Sequence, residues 1–491
     1  MSEYGRIDPY TLPRLAVLTR CLLLASELAG VVRAEGASSE IGMPKRPNIV
    51  IILCDDLGYG DLGCYGNTIV QTPNLDRFAR QGTRLTEYHT TSPVCSPSRA
   101  ALMTGRYPQR YGIHHADLPE FQPRYWLPES ALTIAEVLKQ AGYATAHVGK
   151  WHLGEPPDAV MPRKQGFDFF AGTLGGRPSS SWIKYARSLD PEVIINEERP
   201  VVELGHVTEV QTQTALDFIS TVKPGQPFFL NLWFNAPHEP LAPLPDQAEL
   251  YRDWSPEEQT YFQTVTDIDR GVGRILARLD ELGISNDTLV LFTNDNGPEA
   301  HSFRYSRGSA GPLKGMKTQL WEGGIRVPAI VRWPREIPSG HVSRSLASVL
   351  DIFPTICALA SAPVPAGLEL DGGIDLIPVL KGTVREPSRA LFFEFHFPQR
   401  GVGSSLPMAV RKSRWKLFAD YSFSKVELYD LSCDIGEKHD VAGQNEEVSE
   451  ELKAELRRWW AQLAPQIDLN VKPARVPVPT PEELEKRYYH N

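Results

Sequence analysis

The chain has 491 residues, of which 42% are hydrophobic and 23% are charged, a composition that argues against a disordered chain or a bundle of membrane helices. Its formal net charge of -9 argues against a general nucleic-acid-binding protein, because affinity for phosphate backbones requires a basic face. A chain of this length predicts about two or three domains.

Residues 1–34 are predicted to be a secretory signal peptide. Leu15–Val32 is apolar but interrupted by Arg20 and Glu27, and small residues follow at positions typical of cleavage. An amphipathic N-terminus without a targeting role is the alternative. No later segment has the roughly 20 uninterrupted apolar residues of a membrane span. We therefore expect a soluble mature protein that is secreted or periplasmic, or lysosomal if the host is eukaryotic.

Strand and helix patterns alternate between residues 45 and 388. Short, continuously apolar runs predict buried strands at Asn48–Cys54, Tyr143–Val148, Phe228–Phe234 and Leu289–Thr293. Helical patterns occur at Asn74–Gln81, Leu132–Ala141 and Tyr261–Leu282. This alternation predicts an α/β domain whose mostly parallel central sheet is flanked by helices.

The pattern changes between residues 389 and 466. Strands are predicted at Ala390–Phe395, Met408–Arg411, Trp415–Phe418 and Glu427–Asp430, and a charged helix at Glu446–Leu463. We predict a smaller C-terminal α+β domain that contains a small antiparallel sheet and a helix. Residues 467–491 are predicted to form a Pro-rich tail.

Acidic residues follow two of the predicted strands at the point where each strand ends. Asp55 and Asp56 come directly after the first strand, and Asp295 and Asn296 come just past the fourth. In an open parallel sheet, ligands collect outside the carboxyl ends of the strands. Adjacent buried carboxylates need a compensating cation, and oxygen ligands suit Ca2+ or Mg2+ better than Zn2+ or Cu2+. Either pair alone could instead cap a helix or turn.

Cys95 lies just before a predicted helix. Ser96 suits the N-cap position, Pro97 suits the first helical position, and Gly105 ends the helix. The helix N-terminus favours a developing anion, and Arg99, about one turn along the helix, can reach back toward residue 95. These features are consistent with a thiolate nucleophile. The six cysteines form no C-x-x-C pair, which disfavours a structural zinc or a disulfide scaffold.

Four further residues are candidates for anion binding or proton transfer at the same sheet edge. Lys150 and His152 follow the second predicted strand, His238 follows the third, and Lys317 comes soon after the fourth. Individually, such histidines are more often structural and such lysines are more often solvated. Their convergence with Arg99 and the acidic pairs predicts an enzyme site.

With these residues assembled, the sequence resembles the type I sulfatases, the formylglycine-dependent arylsulfatase family of the alkaline phosphatase-like superfamily. Pro93–Gly105 (PVCSPSRAALMTG) resembles the maturation signature of the family, and Gly142–Gly154 resembles its second signature. The resemblance extends from Arg46 to Pro334 and more loosely into the C-terminal region, with six separated segments matching in order.

The resemblance implies that Cys95 is converted to Cα-formylglycine by a formylglycine-generating maturation enzyme and is then hydrated to a diol. One Ca2+ ion would be bound by this residue together with Asp55, Asp56, Asp295 and Asn296. The implied substrate is a sulfate ester, for which we expect a sulfated carbohydrate.

The resemblance also implies roles for the basic residues. Arg99 and Lys150 would hold the diol as an anionic nucleophile, and Asp295 is also a candidate to accept its proton. His238 would protonate the leaving oxygen while Lys317 neutralises the sulfate. His152 would remove the proton that allows sulfate to be expelled.

Two features leave substrate recognition open. Some relatives carry a sulfate-contacting serine where this chain has Gly176, and Ser179–Ser181 are possible substitutes. A basic loop with His301, Arg304 and Arg307 lies between the acidic pair and Lys317, where it could contact a leaving group or simply be solvated.

Three alternative functions stay open. The first is a phosphomonoester or phosphonate monoester hydrolase of the same superfamily. The second is a thiol hydrolase that pairs Cys95 with His152 or His238. The third is a calcium-dependent carbohydrate-binding protein with an inactivated site, which is disfavoured because each catalytic position carries a competent residue.

Overall fold

A mixed sheet of ten strands lies at the centre of the fold. The computed structural model describes residues 46–116, 126–154, 161–174, 192–196, 201–202, 206–241, 243–299, 307–383, 388–395 and 405–463. The predicted signal peptide and Pro-rich tail, Gly176, Ser179–Ser181, His301 and Arg304 lie outside these residues.

The strands of the chain are β1 (Asn48–Cys54), β2 (Thr83–Leu85), β3 (Tyr88–His89), β4 (Ala144–Lys150), β5 (Phe169–Thr173), β6 (Glu192–Ile195), β7 (Val201–Val202), β8 (Phe228–Trp233), β9 (Thr288–Asn294), β10 (Ala329–Arg332), β11 (His341–Ser343), β12 (Ala347–Ser348), β13 (Ala390–Glu394), β14 (Met408–Lys412), β15 (Trp415–Ala419) and β16 (Val426–Asp430). The central sheet has the order β11-β2-β10-β9-β1-β8-β4-β5-β6-β7. Its inner strands β9, β1, β8, β4 and β5 run parallel, whereas β10 is antiparallel to β9. β3 and β12 form a separate parallel pair.

The helices are α1 (Pro73–Gln81), α2 (Cys95–Thr104), α3 (Ile134–Gln140), α4 (Val207–Thr221), α5 (Pro256–Glu281), α6 (Glu322–Ile325), α7 (Ile352–Leu359), α8 (Ile377–Leu380) and α9 (Glu446–Leu463). α3 and α5 begin at capping boxes, Thr133 with Glu136 and Ser255 with Glu258. No helix among the described residues is both long enough and apolar enough to cross a membrane.

The sheet is buried on both faces, as the continuously apolar strands predict. Ile49, Ile51 and Leu53 of β1 belong to one hydrophobic cluster, whereas Val50 and Ile52 belong to the cluster on the opposite face. This alternation follows from the two-residue period of a strand. The carboxyl end of β1 is therefore held rigidly at the centre of the sheet.

The C-terminal region contains a separate antiparallel sheet in the order β13-β14-β15-β16. Leu456 and Trp460 of α9 share a hydrophobic cluster with Val410 and Leu417 of the sheet. Phe393, also in this sheet, belongs to a second cluster that includes Trp321. The predicted α/β architecture with a smaller antiparallel sheet and helix is confirmed. The domain boundary at residues 388 and 389 stays a prediction.

Candidate active site

Two pairs of polar residues meet at the carboxyl ends of neighbouring strands. β1 and β9 are parallel neighbours, so Asp55 and Asp56 emerge beside Asp295 and Asn296. Asn296 Nδ2 donates to Asp56 Oδ1 at 2.7 Å, and the Asp56 N–H donates to Asp295 Oδ1 at 3.3 Å. Each of the four residues is at most 1% exposed, so their charges are not screened by bulk water.

Residue 95 begins α2 and lies beside these carboxylates, with Cys95 Sγ 3.4 Å from Asp55 Oδ1. The N-cap is Val94, so the expectation that Ser96 caps the helix is wrong. Pro97 is the third helical residue rather than the first. It is tolerated there because N–H groups in the first turn have no acceptor within the helix. Cys95 therefore lies within the first helical turn.

The unmodified Cys95 side chain is a neutral thiol. Burial raises the pKa of Cys95 well above its ordinary value, and the Asp55 carboxylate raises it further. Cys95 also forms no disulfide among the described residues. These surroundings oppose a thiolate despite the position of Cys95 in the first turn of a helix.

Arg99 of α2 forms hydrogen bonds at the carboxyl ends of β9 and β4. Its Nη2 and Nε atoms donate to Asp295 Oδ2 at 2.7 and 3.0 Å, and Nη1 donates to the Lys150 carbonyl at 3.0 Å. The guanidinium lies over the Trp233 ring, with its carbon 5.0 Å from the ring centroid. Arg99 is fully buried, so these contacts fix its orientation.

Each of the two predicted lysines pairs with one aspartate of the first pair. Lys150 Nζ lies 2.6 Å from Asp55 Oδ2, and Lys317 Nζ lies 2.6 Å from Asp56 Oδ2. Gly149 precedes Lys150 with φ of 107°, and a Cβ there would lie 1.9 Å from the Trp233 carbonyl oxygen. Only glycine suits this position. Its missing side chain allows the end of β4, which carries Lys150, to pack closely against β8.

The carboxylates differ in proton affinity although they lie together. Burial alone would raise the pKa of Asp55, but Lys150, followed by His238 and Arg99, holds it well below its ordinary value. Burial and then the Asp55 charge raise the pKa of Asp295 to about 7, against the opposing effect of Arg99. Of Asp55 and Asp295, Asp55 is therefore the one whose ionised form is stabilised, and Asp295 is the weaker acid.

The two predicted histidines occupy different positions. His238 Nε2 lies 3.5 Å from Asp56 Oδ2, and Nδ1–H donates a hydrogen bond to the Glu239 carbonyl oxygen at 2.6 Å. His152 lies two residues beyond Lys150 and is 5% exposed. Its backbone N–H donates to the Leu174 carbonyl at 2.9 Å. His152 has φ of 55°, a left-handed conformation that is uncommon outside glycine and often marks functional sites.

Glu299 is a site residue that the sequence analysis missed. Its Oε2 atom lies 2.9 Å from Lys317 Nζ. One carboxylate oxygen each from Glu299 and Asp56 and one ring nitrogen of His238 lie within 4.8 Å of one another. The available signal was the position of Glu299 three residues past Asn296, at the same strand end.

The site has a donor set that fits a hard cation. Ligand atoms from Asp55, Asp56, Cys95 and Asp295 all lie within 4.8 Å of one another. Asn296 Oδ1 is buried and has no hydrogen-bond partner among the described residues, which is costly unless another group supplies one. Carboxylate and amide oxygens are ligands for Ca2+ or Mg2+, and the thiol is the one atom that suits neither ion.

A second buried charge cluster lies between the Lys317 segment and the C-terminal sheet. Lys416 Nζ lies 2.8 Å from Glu322 Oε1 and 3.0 Å from Glu437 Oε1, and His89 Nε2 lies 3.0 Å from Glu322 Oε2. The Glu322 N–H also donates to Glu437 Oε2 at 2.7 Å. Every carboxylate here faces a cationic or donor group, so the cluster is a structural ion-pair network.

Comparison with known proteins agrees with this geometry. The Sulfatase family model matches residues 47–362, and the model described as N-sulphoglucosamine sulphohydrolase, C-terminal, matches residues 316–462. N-acetylgalactosamine-6-sulfatase of Canis lupus familiaris is 38% identical over 382 residues, which cover 74% of this chain and 70% of that protein. Arylsulfatase A of Homo sapiens is 36% identical over 469 residues, covering 86% of this chain and 89% of that protein.

A solved structure shares the fold along most of both chains. The structure of Ps i-CgsB in complex with k-i-k-neocarrahexaose is 32% identical with a TM-score of 0.74, and the match covers 84% of this chain and 92% of the other. The resemblance inferred from the two sequence motifs is thus confirmed, and this chain belongs to the sulfatase family.

Proposed function

We propose that this enzyme hydrolyses sulfate esters through residue 95, after Cys95 has been converted to formylglycine by a maturation enzyme. The observation that carries the proposal is the position of residue 95. It lies in the first turn of α2, 3.4 Å from Asp55, inside a cluster of three carboxylates and three cationic side chains. The cysteine of this structure stands in for the hydrated aldehyde of the mature enzyme.

The conversion suits the surroundings of residue 95. Asp55, Asp56, Asp295 and Asn296 present oxygen ligands, so an oxygen at residue 95 completes the set where a thiol does not. The hydrated aldehyde supplies two hydroxyl groups on one carbon, so that one can take the sulfuryl group and the other can expel it as sulfate. Ca2+ bound by these residues would lower the pKa of a ligated hydroxyl group and offset the repulsion between the carboxylates.

The cationic side chains hold the nucleophile and the transferred group in this proposal. Arg99 is fixed by hydrogen bonds to Asp295 and to the Lys150 carbonyl, so its guanidinium has a defined position in the carboxylate cluster. Lys150, at the end of β4, pairs with Asp55, whose carboxylate also contacts residue 95. Lys317 pairs with Asp56 and neutralises the charge of the sulfate as it departs.

His238 and His152 move protons in this proposal. The Nδ1–H of His238 is held by the Glu239 carbonyl, which leaves Nε2 directed toward the cluster. Burial and the Lys317 charge lower the pKa of His238, which makes its protonated form a stronger acid toward the leaving oxygen. His152 accepts the proton whose removal releases sulfate.

We propose a sulfated carbohydrate as the substrate class. The proposal is supported by the name of the 38% identical N-acetylgalactosamine-6-sulfatase and by the neocarrahexaose in the complex of the 32% identical Ps i-CgsB. A panel of sulfated mono- and oligosaccharides, with an aryl sulfate and a steryl sulfate beside it, tests this choice. Release of sulfate from the steryl ester alone would contradict it.

The experiment that tests the mechanism is mass spectrometry of the peptide that contains residue 95, taken from active enzyme. An aldehyde mass is expected, and an intact, alkylatable thiol would leave the thiol-hydrolase alternative. Parallel assays of an aryl sulfate and an aryl phosphate address the phosphomonoester and phosphonate alternatives. Faster turnover of the phosphate would overturn the proposal.

We also propose that residues 1–34 direct the enzyme to secretion or to the periplasm, or to the lysosome in a eukaryotic host. The apolar segment Leu15–Val32 supports this targeting role. N-terminal sequencing of the secreted protein tests it, and retention of Met1 in exported enzyme would contradict cleavage.

A further inference from the structure

Glu299 introduces a negative charge where a sulfatase must bind an anion. Its carboxylate lies 2.9 Å from Lys317 Nζ, the ammonium group assigned above to the sulfate. Lys317 Nζ is also 2.6 Å from Asp56 Oδ2, so one lysine serves two carboxylates. Asp56 belongs to the oxygen-ligand set, whereas Glu299 does not.

Solvent exposure places Glu299 toward the mouth of the site. The exposed side-chain fraction rises from 1% for Asp56 to 9% for Lys317, 11% for Glu299 and 21% for His238. The end with the proposed metal ligands is therefore shielded, and the end with Glu299 and His238 is nearer to solvent, from which a substrate enters. A group that contacts Lys317 and His238 lies close to the Glu299 carboxylate, because an oxygen of Glu299 and a ring nitrogen of His238 are within 4.8 Å.

We propose that Glu299 is a charge-selecting residue, which admits the singly charged sulfate ester and weakens the binding of doubly charged groups. The inference rests on the proposed sulfatase function. The residues of the site supply four carboxylates (Asp55, Asp56, Asp295 and Glu299) and three permanent cations (Arg99, Lys150 and Lys317), for a formal sum of -1. Without Glu299 the sum is zero, and any bound metal ion adds the same charge to both sums.

This one unit of charge acts differently on substrate and product. A sulfate ester carries one negative charge, whereas free sulfate carries two and a phosphate monoester carries up to two near neutral pH. Each additional charge on the bound group is repelled by Glu299 at short range in a partly shielded site. Glu299 therefore promotes release of the sulfate product and disfavours phosphate monoesters as substrates.

The test compares Glu299→Gln with Glu299→Asp in the full-length, formylglycine-containing enzyme. Glutamine keeps the size of the side chain and removes its charge, whereas aspartate keeps the charge. Glu450→Gln serves as the matched control. It changes the net charge of the protein by the same amount, but at a side chain on α9 that is 68% exposed. The measurements are kcat/KM for 4-nitrophenyl sulfate and 4-nitrophenyl phosphate, and the inhibition constant and thermal stabilisation produced by inorganic sulfate.

For Glu299→Gln we expect the phosphate-to-sulfate ratio of kcat/KM to rise about tenfold, and sulfate to bind about tenfold more tightly, as one unit charge at this range allows. Glu299→Asp and Glu450→Gln should keep the wild-type ratio and the wild-type inhibition constant. An unchanged ratio and unchanged sulfate affinity in Glu299→Gln would overturn the charge-selecting role. Faster phosphate than sulfate turnover by the wild type would instead overturn the proposed function.

Discussion

Lys416 Nζ in β15 lies 2.8 Å from Glu322 Oε1 in α6, and both side chains are fully buried. α6 begins five residues after Lys317, so this ion pair joins the C-terminal sheet to the segment that carries a site residue. The Lys314 ammonium also donates to the Glu437 carbonyl at 2.8 Å, on the other side of Lys317. The C-terminal sheet, through Lys416, and the loop after β16, through Glu437, therefore contact the Lys317 segment on both sides of Lys317.

Replacing Lys416 with Met should lower the free energy of unfolding by about 3–5 kcal/mol. The change removes the Lys416 cation from Glu437 and one of the cationic partners of Glu322, which keeps His89 and Arg326. Buried charges that lose their compensation carry a cost of this order. Chemical denaturation of the intact chain measures the effect. Lys412→Met in β14 is a matched control, because Lys412 also contacts two glutamates but is 24% exposed, so its loss should cost less than about 1 kcal/mol. Equal losses for the two variants would contradict the special role of the buried network.

Replacing Cys95 with Ser should limit each enzyme molecule to one sulfuryl transfer, without further turnover. A serine hydroxyl can take the sulfuryl group but has no second hydroxyl group on the same carbon to expel it. Incubation with an aryl sulfate should release about one equivalent of phenol per enzyme and leave a mass increase on the peptide that contains residue 95. Cys95→Ala is the control and should show neither the phenol nor the adduct. Steady turnover by either variant would contradict the role of residue 95.

The sequence predicted the central strands and the site at their ends because the relevant signals are local. β1 and β9 are continuous apolar runs that end in acidic residues. The apolar pattern predicts the start of α5 at Tyr261, five residues late, because the first turn of the helix is polar and its start is marked by the Ser255 capping box instead. α4 was missed because its threonine- and glutamine-rich sequence has a weak apolar period.

The contacts of Glu299 and Lys416 could not be predicted from the sequence. Lys416 and its partner Glu322 are 94 residues apart, and each alone resembles a solvated surface charge. Their burial distinguishes Lys416 and Glu322 from surface charges, and this burial depends on the packing of the C-terminal sheet. Glu299 follows the Asp295–Asn296 pair closely, but a carboxylate beside an anion-binding lysine opposes the expected electrostatics of the site.

Removing the proposed Ca2+ should reduce thermal stability as well as activity. Asp55, Asp56 and Asp295 are buried together, and a bound divalent cation would relieve their mutual repulsion. We expect a chelator to lower the unfolding temperature and Ca2+ to restore it. Asn296→Leu removes the buried amide oxygen and should weaken Ca2+ binding, measured by titration calorimetry, by at least about tenfold. Wild-type affinity in this variant would exclude Asn296 as a ligand.

The stability of the chain should carry a pH-dependent contribution from Asp267 on α5, away from the metal ligands. Burial raises the pKa of Asp267 to about 7, although its carboxylate accepts the Leu244 N–H at 2.8 Å. In the unfolded chain the pKa is about 3.9, so between these values the folded state binds more protons and stability falls as pH rises.

Asp267→Asn removes this titration while keeping an oxygen that can accept from Leu244. Relative to the variant, the wild type should lose about 2 kcal/mol of unfolding free energy between pH 5 and pH 7, because each pH unit contributes about 1.4 kcal/mol well below the folded pKa and less as the pH approaches it. Denaturation curves for both proteins at a series of pH values measure the difference. A wild-type advantage that grows with pH would show that the folded protein stabilises the charged form of Asp267 instead.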